Sequence, residues 1–131
     1  MDELPIQSGD DVVRVRQQVR TVASQNGLSL VDQTKLVTAA SELARNTLVH
    51  GGGGVARIEA VKSASGRAGV KLHFSDEGPG IADVDLALTD GWTSGSGLGL
   101  GLSGSRRLVD EFELDSKPGA GTNVVVVKWS R

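Results

Sequence analysis

The chain has 131 residues, a net charge of −2 and no cysteine, which predicts one domain over residues 1–131 without disulfides, thiolate metal sites or cysteine nucleophiles. A general nucleic-acid-binding protein would carry a basic excess, and no apolar run approaches the length of a membrane span. The first six residues contain two acids and no base. They do not resemble a secretory signal, and we expect a cytoplasmic protein.

Hydrophobic periodicity in the first half of the chain predicts a short strand over residues 4–8 followed by two helices. Ser8 and Asp10 are candidate N-caps for the first helix, which is expected to end near Asn26. The second helix is expected from about Val31 to His50, because four consecutive glycines follow it.

The second half alternates strands, helices and glycine-rich loops. In chain order we expect strands at Val55–Val61 and Gly69–Phe74, a short helix at Ala82–Leu88, a glycine loop at Gly91–Gly101, a third helix at Leu102–Glu111, and strands at Phe112–Ser116 and Asn123–Trp129. Hairpin-type loops join each pair of strands. This order indicates an α+β fold with helices on one face of a mixed, mainly antiparallel sheet.

Glu42 and Asn46 lie four residues apart on the second helix, at the edge of its apolar face. A carboxylate and a carboxamide at a core boundary can hold a divalent ion and orient a hydroxyl. The same pair is also an ordinary hydrogen-bonded pair on a solvated helix edge, and this helix alone leaves both interpretations open. His50 continues the row, where it could touch phosphate or the terminal helix carbonyls.

Two glycine-rich segments follow strands or precede helices. Asp76 ends an apolar strand before a Gly-Pro-Gly turn, where a carboxylate can accept a hydrogen bond from a base and glycine permits close approach of a ligand. Alternating glycines from Gly91 to Gly104 then run into a helix, an arrangement suited to phosphates. The composition of the first segment is also that of an ordinary turn, and the composition of the second is also that of a loop without a ligand. The second segment lacks the Gly-Lys-Ser/Thr ending of a Walker A loop.

Taken in order, these motifs resemble the GHKL ATPases. The shared pattern is Glu-x-x-x-Asn on a helix, Asp-x-Gly-x-Gly, a glycine-rich lid, and Gly-Thr before a last strand. It appears here as Glu42 to Asn46, Asp76 to Gly80, Gly95 to Gly101, and Gly121-Thr122. The resemblance covers nearly the whole chain and implies a two-layer α/β sandwich of the Bergerat type.

One branch is more similar than the others. The stretches Ser41–Asn46, Gly97–Leu102 and Arg107–Phe112 resemble the RsbT-type kinases, the switch serine/threonine kinases of the bacterial stressosome. Where this branch is expected to have a proline and an apolar residue after the lid, the chain has Ser103 and Ser105.

The resemblance implies roles for individual residues. Asn46 would hold the Mg²⁺ that bridges the ATP phosphates, and Glu42 would be the general base for the attacking hydroxyl. Asp76 would hydrogen-bond the adenine amino group, supported by Thr122. The other implied ATP contacts are Arg45, the turn glycines Gly78 and Gly80, and the lid residues Gly95, Gly97, Leu98, Gly99, Leu100 and Gly101.

The implied function is that of an Mg·ATP-dependent protein serine/threonine kinase. Its implied substrate is an RsbS-like STAS-domain protein associated with an RsbR-like scaffold, and after release it would activate a PP2C-type phosphatase or another regulator. Two alternatives remain: an anti-sigma factor with kinase activity, and a catalytically silent nucleotide-binding module. Arg45 and the terminal Lys128-Trp129 favour the RsbT branch over the first, and the presence of Glu42 and Asn46 argues against the second.

Overall fold

A computed structural model describes residues 2–81 and 102–131. In these residues one five-stranded sheet, in the order β1-β2-β3-β5-β4, carries three helices on one face. The elements are β1 Asp2–Ile6, α1 Gly9–Gln25, α2 Leu30–Val49, β2 Gly54–Lys62, β3 Ala68–Asp76, α3 Leu102–Leu108, β4 Glu111–Ser116 and β5 Thr122–Trp129. The predicted two-layer α+β architecture is confirmed, while the predicted helix Ala82–Leu88 and loop Gly91–Gly101 lie outside the described residues.

Side-chain caps set where the first helices begin. The hydroxyl of Ser8 accepts the N–H of Asp11 at 3.3 Å, and the Asp11 carboxylate accepts the N–H of Gln7 at 2.8 Å. This exchange satisfies donors that have no partner inside the helix. Ser29 caps α2 in the same way, accepting the N–H of Asp32 at 3.1 Å.

The core lies between the helices and one face of the sheet. Alternate residues of the strands point toward the helices and are buried, as period-2 alternation predicts. The buried apolar side chains of the sheet are Ile6, Ala56, Ile58, Val70, Leu72, Phe74, Val124 and Val126, and those of α1 and α2 include Val15, Val19, Leu36, Ala40 and Leu43.

All strand pairings among the described residues are antiparallel, so the expectation of a mixed sheet is wrong for this part of the chain. The physical reason is the connectivity. A helical hairpin returns the chain from β1 to β2, and tight connections join β2 to β3 and β4 to β5, each reversing the chain direction.

Most predicted boundaries differ from the structure by one or two residues, and the differences at the third helix and the first strand have clear physical reasons. The third helix ends at Leu108 and not at Glu111, because the N–H of Asp110 already donates to the carbonyl of Val127 at 2.9 Å and Glu111 pairs with the same residue in the sheet. The first strand covers residues 2–6 and not 4–8, since the two residues after it belong to the α1 cap. Tertiary pairing takes the residues after Leu108, and a local helix cap takes the residues after Ile6.

Among the described helices, none combines the length and the apolar character needed to cross a lipid bilayer.

Candidate functional site

The register of the sheet places the predicted site residues of two strands side by side. Asp76, the last residue of β3, is the register partner of Thr122, the first residue of β5. Gly54 flanks Asp76 on β2, and Ser116 flanks Thr122 on β4. One end of the sheet therefore presents a row of four residues that are far apart in the sequence.

The C-terminal end of α2 lies over this row and encloses a pocket. The pocket is lined by Leu43, Asn46, Thr47, His50, Phe74, Asp76, Ile81, Leu102, Thr122 and Val124. Three residues predicted from separate motifs, Asn46, Asp76 and Thr122, thus share one cavity. Its lining combines apolar side chains with a small set of polar ones, as small-molecule sites usually do.

The position of Asp76 depends on its contacts with two glycines. The N–H of Gly78 donates to the Asp76 carboxylate at 2.9 Å. On the other side, a Cβ on Gly51 would overlap the Asp76 carboxyl group. The sequence analysis treated Gly51 only as the end of a helix, because its contact with Asp76 has no local signature.

Ser116, which the sequence analysis did not identify, connects the two loops beside the pocket. Its hydroxyl oxygen accepts the N–H of Ile81 at 2.8 Å and lies 2.8 Å from the hydroxyl of Thr122. The turn that follows Asp76 is therefore attached to the β4–β5 hairpin. Thr122 is 8% exposed and is held in place by this contact.

The turn glycines Gly78 and Gly80 were predicted to let a ligand approach the backbone, yet neither lines the pocket. A Cβ on Gly80, whose φ is +75°, would overlap the carbonyl oxygen of Lys117. A Cβ on Gly78 would lie 2.7 Å from the Cα of Gly51. Close packing of backbone on backbone requires both glycines, and their contact with a ligand stays a prediction.

The remaining predicted residues of α2 surround the pocket without lining it. Glu42 is half-buried and lies one helical turn before Asn46, and Arg45 is exposed. The lid residues Gly95, Gly97, Leu98, Gly99, Leu100 and Gly101 lie outside the described residues.

The two histidines lie on opposite sides of the sheet. The ring of His73 is on the face away from the helices, where Nε2 lies 3.0 Å from the side-chain oxygen of Asn123 and Nδ1 lies 3.3 Å from Arg57. His50 lines the pocket, and its buried Nε2 has no hydrogen-bond partner within the described structure. Nε2 therefore makes no contact with the terminal carbonyls of α2, and a contact of the His50 ring with those carbonyls or with phosphate stays a prediction.

Comparisons with known proteins agree with this geometry. Residues 31–130 match the family described as histidine kinase-, DNA gyrase B-, and HSP90-like ATPase. The serine/threonine-protein kinase RsbT of Bacillus subtilis is 45% identical over 121 residues, which cover 92% of this chain and 90% of RsbT. An anti-sigma F factor of Clostridium kluyveri is 31% identical over 119 residues, covering 86% of this chain and 82% of that factor.

A solved structure shares the fold. The RsbU and RsbW domains of a Mycobacterium tuberculosis protein superpose with a TM-score of 0.62 at 22% identity, over 100% of this chain and 33% of that one.

The fold is that of the ATPase family that the motifs predicted. The chain belongs to the histidine kinase-, DNA gyrase B- and HSP90-like ATPases, and within them to the RsbT-type serine/threonine-protein kinases.

Proposed function

We propose that this protein uses Mg·ATP to phosphorylate a serine or threonine of a STAS-domain protein of the RsbS type, held by an RsbR-like scaffold, in the cytoplasm. When released from that complex it binds and activates a downstream regulator such as a PP2C-type phosphatase. The observation that carries the enzymatic part is the convergence of Asn46, Asp76 and Thr122 on one pocket, with Glu42 one helical turn away.

The two ends of the pocket differ in chemistry. Asp76 offers a carboxylate acceptor beside the hydroxyl of Thr122, and this pair suits the amino group of an adenine. Asn46, on the helix, offers an amide oxygen, which is the hard donor that Mg²⁺ prefers. Mg²⁺ usually takes few protein ligands and completes its shell with phosphates and water, so this donor set fits the ion. When bound, the ion neutralises charge on the transferred phosphoryl group.

Glu42 is the proposed general base. The partner's hydroxyl oxygen forms a bond to the γ-phosphorus as the bond from that phosphorus to the bridging oxygen of ADP breaks. The hydroxyl proton passes to the Glu42 carboxylate, and ADP leaves. Phosphoryl transfer depends mainly on positioning and charge stabilisation, and a half-buried carboxylate next to the ion-holding residue meets that need.

The partner classes are inferred from the similarity to RsbT. Arg45 is exposed one position before Asn46, where it can contact a phosphate or an incoming partner. An exposed cation beside the proposed reacting groups suits a kinase whose substrate is itself a folded protein.

The anti-sigma F factors, at 28–31% identity over most of the chain, support one alternative: an anti-sigma factor with kinase activity. Purification from the native host with an affinity tag separates the two. Recovery of STAS-domain proteins with the tagged chain supports the kinase switch, and stoichiometric recovery of a sigma factor supports the alternative.

Thermal unfolding with and without Mg·ADP tests the nucleotide site directly. Nucleotide at about 100 times its Kd adds about 2.7 kcal/mol of stability, a rise in Tm of several degrees for a chain of this size. We expect Asn46→Ala to lose the Mg-dependent part of this rise. Thr38→Ala, an exposed substitution on the same helix, is the matched control and keeps it. No rise in the wild type at millimolar nucleotide would contradict the proposal.

A further inference from the structure

Two neighbouring apolar side chains are exposed at the beginning of α2. Leu30 is 75% exposed and Val31 is 63% exposed, the highest values for large apolar side chains among residues 2–81 and 102–131. They are the first two residues of the helix, directly after the Ser29 cap. Adjacent exposed apolar side chains, called the apolar pair below, are more typical of a contact surface than isolated ones.

Three segments of the chain meet at this end of α2. The Nε of Arg131 lies 3.1 Å from the carboxylate of Asp32, in the first turn of the helix. The N–H of Ser130 donates to the carbonyl of Ala68 at 2.8 Å, and the guanidinium of Arg67 donates to the carbonyl of Ser130. Residues after β5 therefore connect the apolar pair's helical turn to the β2–β3 connection.

These segments carry an excess of positive charge. Residues 20–41, 62–68 and 128–131 contain six basic residues and a single acid, Asp32, whereas the whole chain has a net charge of −2. The charge is therefore distributed unevenly over the molecule, with a basic region around the apolar pair. The basic residues are Arg20, Lys35, Lys62, Arg67, Lys128 and Arg131.

The acids at this end make contacts within the protein. Asp32 is buried against two of the cations. Asp110 and Glu111, which follow α3, accept hydrogen bonds from the backbone N–H and the ring N–H of Trp129, both at 2.7 Å. Because the acid nearest to the apolar pair is enclosed, the charge that a partner meets beside the pair is positive.

We propose that the apolar pair and the cations around it form a docking surface for an acidic, amphipathic segment of a partner protein. The apolar side of that segment covers Leu30 and Val31. Its carboxylates face Lys35, which lies one helical turn after Val31, and the exposed guanidinium of Arg131.

This surface is separate from the nucleotide pocket. Helix α2 has 20 residues, so its first turn lies about 30 Å from its last, and the pocket lies at the last turn. A partner can therefore bind here while the pocket is occupied. The inference goes beyond the proposed function and does not depend on nucleotide binding.

The surface matches a protein segment better than it matches a membrane or a nucleic acid. Interfacial membrane binding uses an apolar face that runs along a whole helix, whereas only two apolar side chains are exposed in this turn. Binding to single-stranded nucleic acid relies on aromatic side chains that stack on the bases, and the apolar pair is aliphatic. Carboxylates next to an apolar face are the chemistry of an acidic amphipathic peptide.

Titration of the isotope-labelled protein with a helical peptide, followed by NMR, tests the assignment. The peptide has leucine along one face and glutamate along the other, and a second peptide has lysine in place of glutamate. We expect the glutamate peptide to shift the signals of Leu30, Val31 and Arg131, with an affinity that falls as salt is added. The lysine peptide is expected not to bind, and saturating Mg·ADP is expected to leave the affinity for the glutamate peptide unchanged.

Two variants separate the apolar from the ionic contribution. Leu30→Asp is expected to weaken binding about tenfold or more, and Lys35→Glu by about three- to tenfold. An acid in the first turn of a helix is favourable, so Leu30→Asp is expected to keep the wild-type Tm. Val49→Asp, the same kind of change at an exposed valine in the last turn of α2, is the matched control and keeps the affinity.

Several results would overturn the proposal. These are no binding at millimolar peptide, equal binding of both peptides, signal shifts away from the apolar pair, and equal losses in Leu30→Asp and Val49→Asp. Sedimentation with vesicles of phosphatidylglycerol and phosphatidylcholine tests a membrane instead. Binding to these vesicles that Leu30→Asp abolishes would assign the surface to a lipid and not to a protein. A wild type that binds the peptide but no nucleotide would refute only the proposed function.

Discussion

The polar side chains at the two ends of α2 lie in different surroundings. At the N-terminal end, the Asp32 side chain is 1% exposed and lies 3.1 Å from the Nε of Arg131 and 3.7 Å from the Nζ of Lys128, itself only 7% exposed. At the C-terminal end, the polar side chains of Asn46 and His50 face a pocket. One end uses its buried polar groups to join the helix to the last strand, and the other places its polar groups in the wall of a pocket, where we propose that the nucleotide binds.

The pKa of Asp32 reflects the charged groups that surround it at the N-terminal end of α2. Burial opposes ionisation of the carboxyl group, but the charges of Lys128 and Arg131 and a hydrogen bond from Arg131 outweigh it, and the pKa lies below its ordinary value of 3.8. Lys128 also approaches Asp110 at 3.4 Å. The N-terminal end of α2 is thus an ionic cluster in which two cations compensate the charge of Asp32, although Oδ1 of Asp32 makes no hydrogen bond within the described residues. We expect this cluster to contribute stability while the C-terminal end contributes function.

The largest expected effect is on the rate of phosphoryl transfer at the C-terminal half of α2. Loss of a general base typically costs 10²–10⁴-fold, so Glu42→Gln is expected to lower transfer from labelled ATP to a purified STAS-domain substrate by about that factor. Nucleotide affinity and the free energy of unfolding stay near the wild-type values. Glu59→Gln, a half-buried glutamate on β2, serves as control, and transfer at the wild-type rate by Glu42→Gln would remove Glu42 from the mechanism.

The next effect is on stability and belongs to the other end of the helix. Removing one member of a buried ion pair costs about 3–5 kcal/mol, because the remaining charge is left without compensation. We expect Asp32→Ala to lower the free energy of unfolding, measured in urea, by about 3 kcal/mol, while the folded variant binds Mg·ADP with unchanged affinity. Asp10→Ala, an exposed first-turn acid of α1, is expected to cost less than about 1 kcal/mol. A large loss of nucleotide affinity in Asp32→Ala would show that the two ends are not independent.

The third-largest expected effect concerns a turn glycine near the pocket, which we expect to be required for backbone packing. Gly80 and Gly119 have nearly the same φ, +75° and +76°, but only Gly80 faces backbone atoms that a Cβ would overlap. Alanine at Gly119 is expected to cost about 1 kcal/mol of left-handed strain, and alanine at Gly80 about 3 kcal/mol, from strain and overlap together. Chemical denaturation of both variants measures the difference. Equal losses would mean that the turn moves away from Lys117 freely.

The smallest expected effect concerns pH. Since the folded-state pKa of Asp32 is lowered, its pairing stabilises the protein fully above about pH 3.8, and this contribution is lost as the pH falls below that value toward the folded pKa. Asp11 behaves in the same direction, because the N–H of Gln7 and the charge of Arg14 outweigh its desolvation. Unfolding measured between pH 2.5 and 6 is therefore expected to show a shallower decline in Asp32→Asn than in the wild type. An identical slope would place the acid sensitivity elsewhere.

Much of the fold was predictable because it depends on local signals. Helical spacing of apolar residues located α1 and α2 to within a residue or two. Ser8 was one of two candidate caps, with Asp10, because a polar oxygen before an amphipathic segment accepts helix N–H groups, and the structure shows that Ser8 is the cap. The hairpins followed from polar, glycine-containing connections between alternating segments. Where local periodicity predicted a wrong boundary, as after Leu108, the residues pair with a distant strand and do not continue the helix.

The candidate site also has features that the sequence predicts and features that only the tertiary structure shows. The residue types and order of the motifs around Glu42, Asn46, Asp76 and Thr122 were sufficient to predict the family, because each motif is contiguous in the sequence. The convergence of Asn46, Asp76 and Thr122 on one pocket was not predictable from the sequence, because it requires the antiparallel register that pairs Asp76 with Thr122. The tethering role of Ser116 follows from that register as well.

What the sequence determined by itself is the set of secondary-structure elements and the chemistry carried by each motif, because both depend on neighbours along the chain. Only the tertiary structure decided that Lys128 is buried against Asp32, that Gly51 packs on Asp76, and that Nε2 of His50 has no hydrogen-bond partner among residues 2–81 and 102–131. Burial and pairing are set by which ends of distant elements meet, and no short stretch of sequence records that.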